Sequence, residues 1–187
     1  MRKVCRATSP GGFTIVELMV VVAIVAILAA IALPSFNATM RGNRVTSQTN
    51  DILTAINLAR IEATTRSRGV TICAADTAAG TPAACGADWN QGWVVIVDAA
   101  QGGNPPDAIA TGANGNLLRS WVPTSNVQIT AQGGVAYFRF SRRGDMIQPD
   151  VQSVLTVKPS ESCSDRQQRQ ITIQTMGRAT SMPVPCS

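Results

Sequence analysis

Twenty-one nearly unbroken apolar residues, FTIVELMVVVAIVAILAAIAL from Phe13 to Leu33, constrain this chain more than anything else in it. As a helix rising about 1.5 Å per residue they span roughly 31 Å, the thickness of a bilayer's hydrocarbon core. A secretory signal peptide has a shorter apolar stretch with a small-residue cleavage site behind it. Here the small pair Gly11-Gly12 stands in front. The basic segment before it, MRKVCRATSPGG, stays cytoplasmic by the positive-inside rule and sends the rest of the chain to the periplasmic side.

Glu17 is the anomaly in this helix. A carboxylate inside a membrane span costs about 3 kcal/mol or more unless it is paired. Two readings follow from position alone: a side chain snorkelling to the cytoplasmic interface, or an acid awaiting a positive partner. Pro34 marks either the end of the span or a kink, and the helical pattern beyond it favours the kink.

Charge excludes little until its distribution is considered. The chain has 16 Lys+Arg and 11 Asp+Glu, but Arg2, Lys3 and Arg6 precede the apolar run, so 16 − 3 leaves 13 basic against 11 acidic residues. That is no basic nucleic-acid binder by composition. The absence of His removes the commonest general base and metal ligand, and no Ser or Cys has an evident activating partner. Neither an enzyme, a cofactor nor a metal site is expected. Asp98, Asn104 and Asp107 bracket a Gly/Pro loop, but their spacing fits no EF-hand.

Of the five cysteines, Cys5 lies in the basic segment before the apolar run, and if that segment is lost as a leader, Cys73, Cys85, Cys163 and Cys186 remain. Without CxxC spacing they suggest two disulfides in an oxidising compartment rather than zinc. Three pairings are open; closeness in sequence favours Cys73 with Cys85 and Cys163 with Cys186.

Beyond Pro34, Phe36, Met40, Ile52, Ile56, Ala59 and Ala63 recur at helical spacing and predict a helix to about Arg68, with Gly69 as its stop. Then come short β-rich runs: 70–73, 92–98, 117–122, 127–130, 135–140, 154–157 and 169–175. Loops over 74–91 and 99–116 separate them. One helix followed by many strands predicts an α+β fold. Trp89, Gly92 and Trp93 read as a turn with an aromatic lid on the core, and Phe138 and Phe140 as its core-facing strand residues. Arg142-Arg143-Gly144-Asp145 reads as a hairpin turn.

The run GGFTIVELMVVVAIVAILAAIALPSF resembles the class III leader and N-terminal helix of type IV pilins and type II secretion pseudopilins. LTAINLARIEATTRSRGVTIC, DWNQGWVVIVD, FRFSRRGDMIQP and ITIQTMGR, in that order, resemble the GspH/FimT-type minor pilins, including their FimU branch. The resemblance implies a type IV pilin fold, a long N-terminal helix on an antiparallel β-sheet domain. It divides the chain into a leader (1–12), an assembly helix in the membrane (13–33), its amphipathic continuation (34–68) and a periplasmic β-rich head (69–187).

It also implies cleavage by a prepilin peptidase between Gly12 and Phe13, N-methylation of Phe13, and a role for Glu17 in meeting a neighbouring subunit's N-terminal amine. The partners implied are other minor pilins, the major pilin, the inner-membrane assembly platform and a tip adhesin. The chain would begin in the inner membrane and end in the pilus at the cell surface, helping to initiate assembly; the alternative is a type II secretion pseudopilin.

Some FimT-type pilins carry a C-terminal Gly-Arg-x-Arg-x-Arg stretch that contacts DNA, whereas residues 177–182 here read GRATSM and keep only Arg178. Arg142, Arg143 and Arg178 are the remaining DNA-contact candidates, with Arg166 and Arg169 as further basic residues. They are expected to disperse over the surface.

Overall fold

The computed structural model describes residues 12–76, 84–98, 106, 108–111, 115–164 and 167–186, with the side chains of 32–35 outside that set. Cys5, Gly11, Asn104, Asp107 and Arg166 therefore lie outside the described residues, as does the side chain of Pro34, where a kink is expected. Helix α1 runs Ile15–Arg66, and the chain divides into two compact units, Met1–Thr39 and Met40–Ser187.

In the first unit the large apolar side chains described on α1 are exposed, from 77% at Ile15 to 47% at Val21, with Glu17 and Asn37 also exposed among them. From Leu18 to Ile31 every described side chain is apolar, a composition suited to lipid or to other helices as surroundings. Its length and composition suffice to cross a membrane.

In the second unit, Val45, Ile52, Ala55, Ile56, Ala59 and Ala63 form a fully buried stripe along α1. Phe36 and Met40, which share the sequence periodicity, are exposed instead. The polar stretch before Asp51 is held by tertiary contact: Gln48 is buried and its Oε1 accepts the N–H of Thr124 at 2.6 Å. α1 stops at Arg66 rather than Arg68, because Ser67 turns to φ +53°. Gly69 serves close packing rather than the helix stop, since a Cβ there would sit 2.6 Å from the Asp98 carbonyl oxygen.

Ten strands follow: β1 (Val70–Asp76), β2 (Ala84–Cys85), β3 (Trp93–Val97), β4 (Leu117–Trp121), β5 (Val127–Ala131), β6 (Tyr137–Phe140), β7 (Met146–Gln148), β8 (Ser153–Pro159), β9 (Gln168–Ile173) and β10 (Ala179–Val184). They form two antiparallel sheets, β4-β3-β1-β6-β7 with β2 beside β1, and β10-β9-β8-β5. The fold is α+β, a long N-terminal helix with antiparallel sheets. The first expected loop is shorter than 74–91, since β1 continues to Asp76 and β2 and a 3-10 turn at Trp89–Gln91 lie inside it.

Val70, Ile72, Ala74, Trp93, Val95, Phe138 and Phe140 join the main core with the α1 stripe and with Leu155, Val157, Ile171 and Ile173 of the second sheet. The opposite face of the first sheet is also covered. Cys73, Ala75, Val94 and Ile96 make a second small core with Cys85, Ile109, Leu117 and Tyr137 around it. The bond between Cys73 and Cys85 (Cα–Cα 5.6 Å) lies in this second core, and the bond between Cys163 and Cys186 (Cα–Cα 5.8 Å) ties the end of the chain to the β8–β9 connection.

Candidate functional site

The start of α1 gives the residues around Glu17 a local logic. Thr14 caps the helix: its Oγ1 accepts the Glu17 N–H at 3.2 Å, and its carbonyl accepts the Leu18 N–H at 3.1 Å. Thr14-Ile15-Val16-Glu17 thus has the T-x-x-E spacing of a capping box. Glu17, in the first turn, also faces the positive end of the helix dipole. Sequence reasoning weighed the acid against lipid and a neighbouring subunit and missed this third partner. The signal was present in the spacing to Thr14. Gly12 and Phe13 precede the cap and are exposed.

Two turns of the head meet. The Arg142-Arg143 turn is closed by the Ser141 N–H to Asp145 carbonyl bond (2.8 Å) and the Gly144 N–H to Ser141 carbonyl bond (2.9 Å), with Gly144 at φ +85°. The Ser141 hydroxyl also donates to Asp145 Oδ1 at 2.5 Å. Residues 174–178 form the β9–β10 turn, with Gly177 at φ +77°. A Cβ on Gly177 would run into the Gly144 carbonyl oxygen, so the two turns pack backbone to backbone. Arg60 of α1 lies beneath both, its Nε donating to the Gly144 carbonyl at 3.1 Å. Arg142, Arg143 and Arg178 are exposed around this junction. Contact between two glycines, which charge counting cannot see, joins the turns that carry these three arginines. Arg169 stays half-buried in β9.

Asp98 is no loop ligand. It is buried, and its Oδ2 accepts from Arg139 Nε (3.0 Å), Arg139 Nη2 (2.9 Å) and Thr71 Oγ1 (2.5 Å). Among the described residues no cluster of His, Cys, Asp or Glu is placed to hold a metal.

The DWNQG block organises a sheet edge. Asp88 caps the 3-10 turn by accepting the Asn90 N–H at 2.9 Å, and it also holds the Asn90 amide at 2.7 Å. The Asn90 side chain then accepts the Ile129 N–H at 2.7 Å and donates to the Ile129 carbonyl at 3.1 Å. Trp89 covers the core above Phe138, with ring centroids 5.5 Å apart, and donates to the Val135 carbonyl at 2.8 Å.

The family model for Type II transport protein GspH matches residues 48–177, more than two thirds of the chain, and the prokaryotic N-terminal methylation motif matches residues 9–33. The fold is similar to the type IV minor pilin FimU of Pseudomonas aeruginosa PAO1 in two crystal forms. One has TM-score 0.54, 17% identity and covers 75% of this chain and 90% of that one; the other has TM-score 0.51, 17% identity and covers 74% and 92%. A minor pseudopilin of the Vibrio cholerae Type 2 Secretion System, EpsH, matches at TM-score 0.47 and 10% identity, over 75% of this chain and 97% of that one. No curated protein matches the chain.

Proposed function

We propose, because this chain belongs to the GspH family, that it is a minor pilin, made as a prepilin and built into a type IV pilus whose assembly it helps to initiate. The carrying observation is the N-terminal unit: a leader with Gly12, a helix capped at Thr14, Glu17 in its first turn, and an exposed apolar rod behind it. A prepilin peptidase cuts between Gly12 and Phe13, the new amine is methylated, and residues 13–33 hold the subunit in the inner membrane with the head in the periplasm. Glu17 then meets the N-terminal amine of a neighbouring subunit. That partner offsets the cost of a carboxylate in lipid and sets register. Other minor pilins, the major pilin, the assembly platform and a tip adhesin are its partners, and association rather than catalysis is its work.

Filaments sheared from cells carrying Glu17→Ala test the reading. The variant should insert into the membrane normally and be lost from the sheared fraction. Wild-type-like incorporation would leave Glu17 with its capping role alone. Recovery of the wild-type chain from a secretion pseudopilus instead of a pilus would move it to the pseudopilin branch.

The junction of Gly144 and Gly177 favours a second reading, contact with DNA. It gathers the turns bearing Arg142, Arg143 and Arg178, although Asp145 in the same loop and a head near charge balance oppose it.

A further inference from the structure

The main strand orders of the two sheets end at β4, β7, β5 and β10, and the first three carry a covering contact. β5 is capped by the Asn90 amide, as described. β7 is met by the β9–β10 turn, where the Met146 N–H donates to the Thr175 carbonyl at 2.8 Å. β4 is met at its start by Ala110, whose carbonyl accepts the Leu117 N–H at 3.2 Å. β10 differs: among the described residues nothing pairs with its outward side.

Its register says which groups face out. The Gln174 N–H donates to the Arg178 carbonyl at 2.9 Å, and Thr180, Met182 and Val184 lie opposite Thr172, Gln170 and Gln168. Bonded and non-bonded pairs alternate along an antiparallel ladder, so the even-numbered residues bond β9 and Ala179, Ser181 and Pro183 turn their backbone groups outward. Pro183, which has no N–H to give, sits where none is required by β9. The open row therefore offers the N–H groups of Ala179 and Ser181 and the carbonyls of all three.

Pro183 shortens this template without closing it, since two donors and three acceptors remain. Surrounding chemistry defines what would fit. Met182 is 51% exposed on the side away from the core, and exposed Arg178 precedes the strand in the turn that packs on the Arg142-Arg143 turn. The Cys163–Cys186 bond holds the far end of β10 in place.

We propose that β10 receives an extended strand from a neighbouring pilin subunit, which pairs with Ala179 and Ser181, lays an apolar side chain on Met182 and brings an acid to the arginines. This is strand addition to a sheet edge, with backbone bonds for affinity and alternate side chains for selectivity. The inference rests on the filament reading above.

The test uses the full chain in cells with its assembly machinery, with Met182→p-benzoylphenylalanine as a photo-cross-linking probe and the same probe at Gln128 on the capped β5 as control. The expected product joins position 182 to a subunit carrying its own N-terminal methylation motif, identified by mass spectrometry. Ser181→Pro, which removes an outward donor and leaves the β9 bonds, should lower the yield about tenfold, and Arg178→Glu should lower it severalfold. Thermal melting of Ser181→Pro checks that the head is folded; if it is not, Arg178→Glu alone decides.

Equal yields from positions 182 and 128, a yield unmoved by the substitutions, or a product containing DNA would overturn the proposal. If the chain still enters sheared filaments in that case, the minor-pilin reading stands without it. If the wild-type chain never enters filaments, both fall.

Discussion

Arg139 and Asp98, 41 residues apart in sequence, form an ion pair with both side chains fully buried, at 2.9 Å. Nη1 of Arg139 donates to Gln148 Oε1 at 2.6 Å, and its guanidinium lies 5.5 Å from the Tyr137 ring centroid. The pair spans three elements, β6, β7 and the end of β3, on the face of the first sheet away from the main core.

Removing one member should cost far more than exchanging both. Asp98→Ala removes the carboxylate that balances a buried cation and should destabilise the head by about 3–5 kcal/mol, lowering Tm on the order of 10 °C. Asp98→Leu with Arg139→Met should recover most of that loss. Thermal melts of the disulfide-intact protein decide it, and additive single and double effects would count against the pair as a unit.

Processing depends on a small residue before the scissile bond. Gly12→Val should leave the chain at precursor length, and immunoblots of membranes would show the larger band. A mature-size band in the variant would count against cleavage at this position.

Gly177 is irreplaceable on two grounds, positive φ and the Gly144 carbonyl against its α-carbon. Gly177→Ala should destabilise by about 1 kcal/mol for the left-handed backbone alone, with the displaced turn adding to it. Denaturant melts measure this, and a neutral result would mean that the two turns do not press together in solution.

Arginines on joined turns should act on one ligand. If the chain binds DNA, Arg178→Ala and the Arg142→Ala/Arg143→Ala pair should each flatten the salt dependence, by about one unit of slope for every phosphate no longer neutralised. A gel-shift titration at physiological salt reads this. Micromolar binding that disappears in Arg178→Ala would put DNA first. Affinity no better than about 10⁻⁴ M, the weak end of non-specific binding, would remove it.

The elements with strong periodicity were legible before the fold. Ile52, Ile56, Ala59 and Ala63 lie on the buried stripe, and Phe138 and Phe140 in the core, because spacing alone specifies those faces. β7 and β10 were not legible: MIQ is too short, and ATSMPV is small, polar and interrupted by Pro, yet pairing with a neighbour makes each a strand. Arg139 was hidden for another reason. Alternation shows that it faces away from Phe138 and Phe140, but not that a second small core buries that face too. Its partner comes from a different strand end, and only tertiary structure brings the two together.

The Asn90 amide stands in for a neighbouring strand by supplying one donor and one acceptor to Ile129, so the sheet stops at β5 because of a single nitrogen and a single oxygen. Deamidation would turn that nitrogen into a second oxygen facing the Ile129 carbonyl, repelling what it once held. The chemical ageing of one side chain would thus unseal the sheet, and aged head domains should self-associate through β5 while fresh ones stay apart.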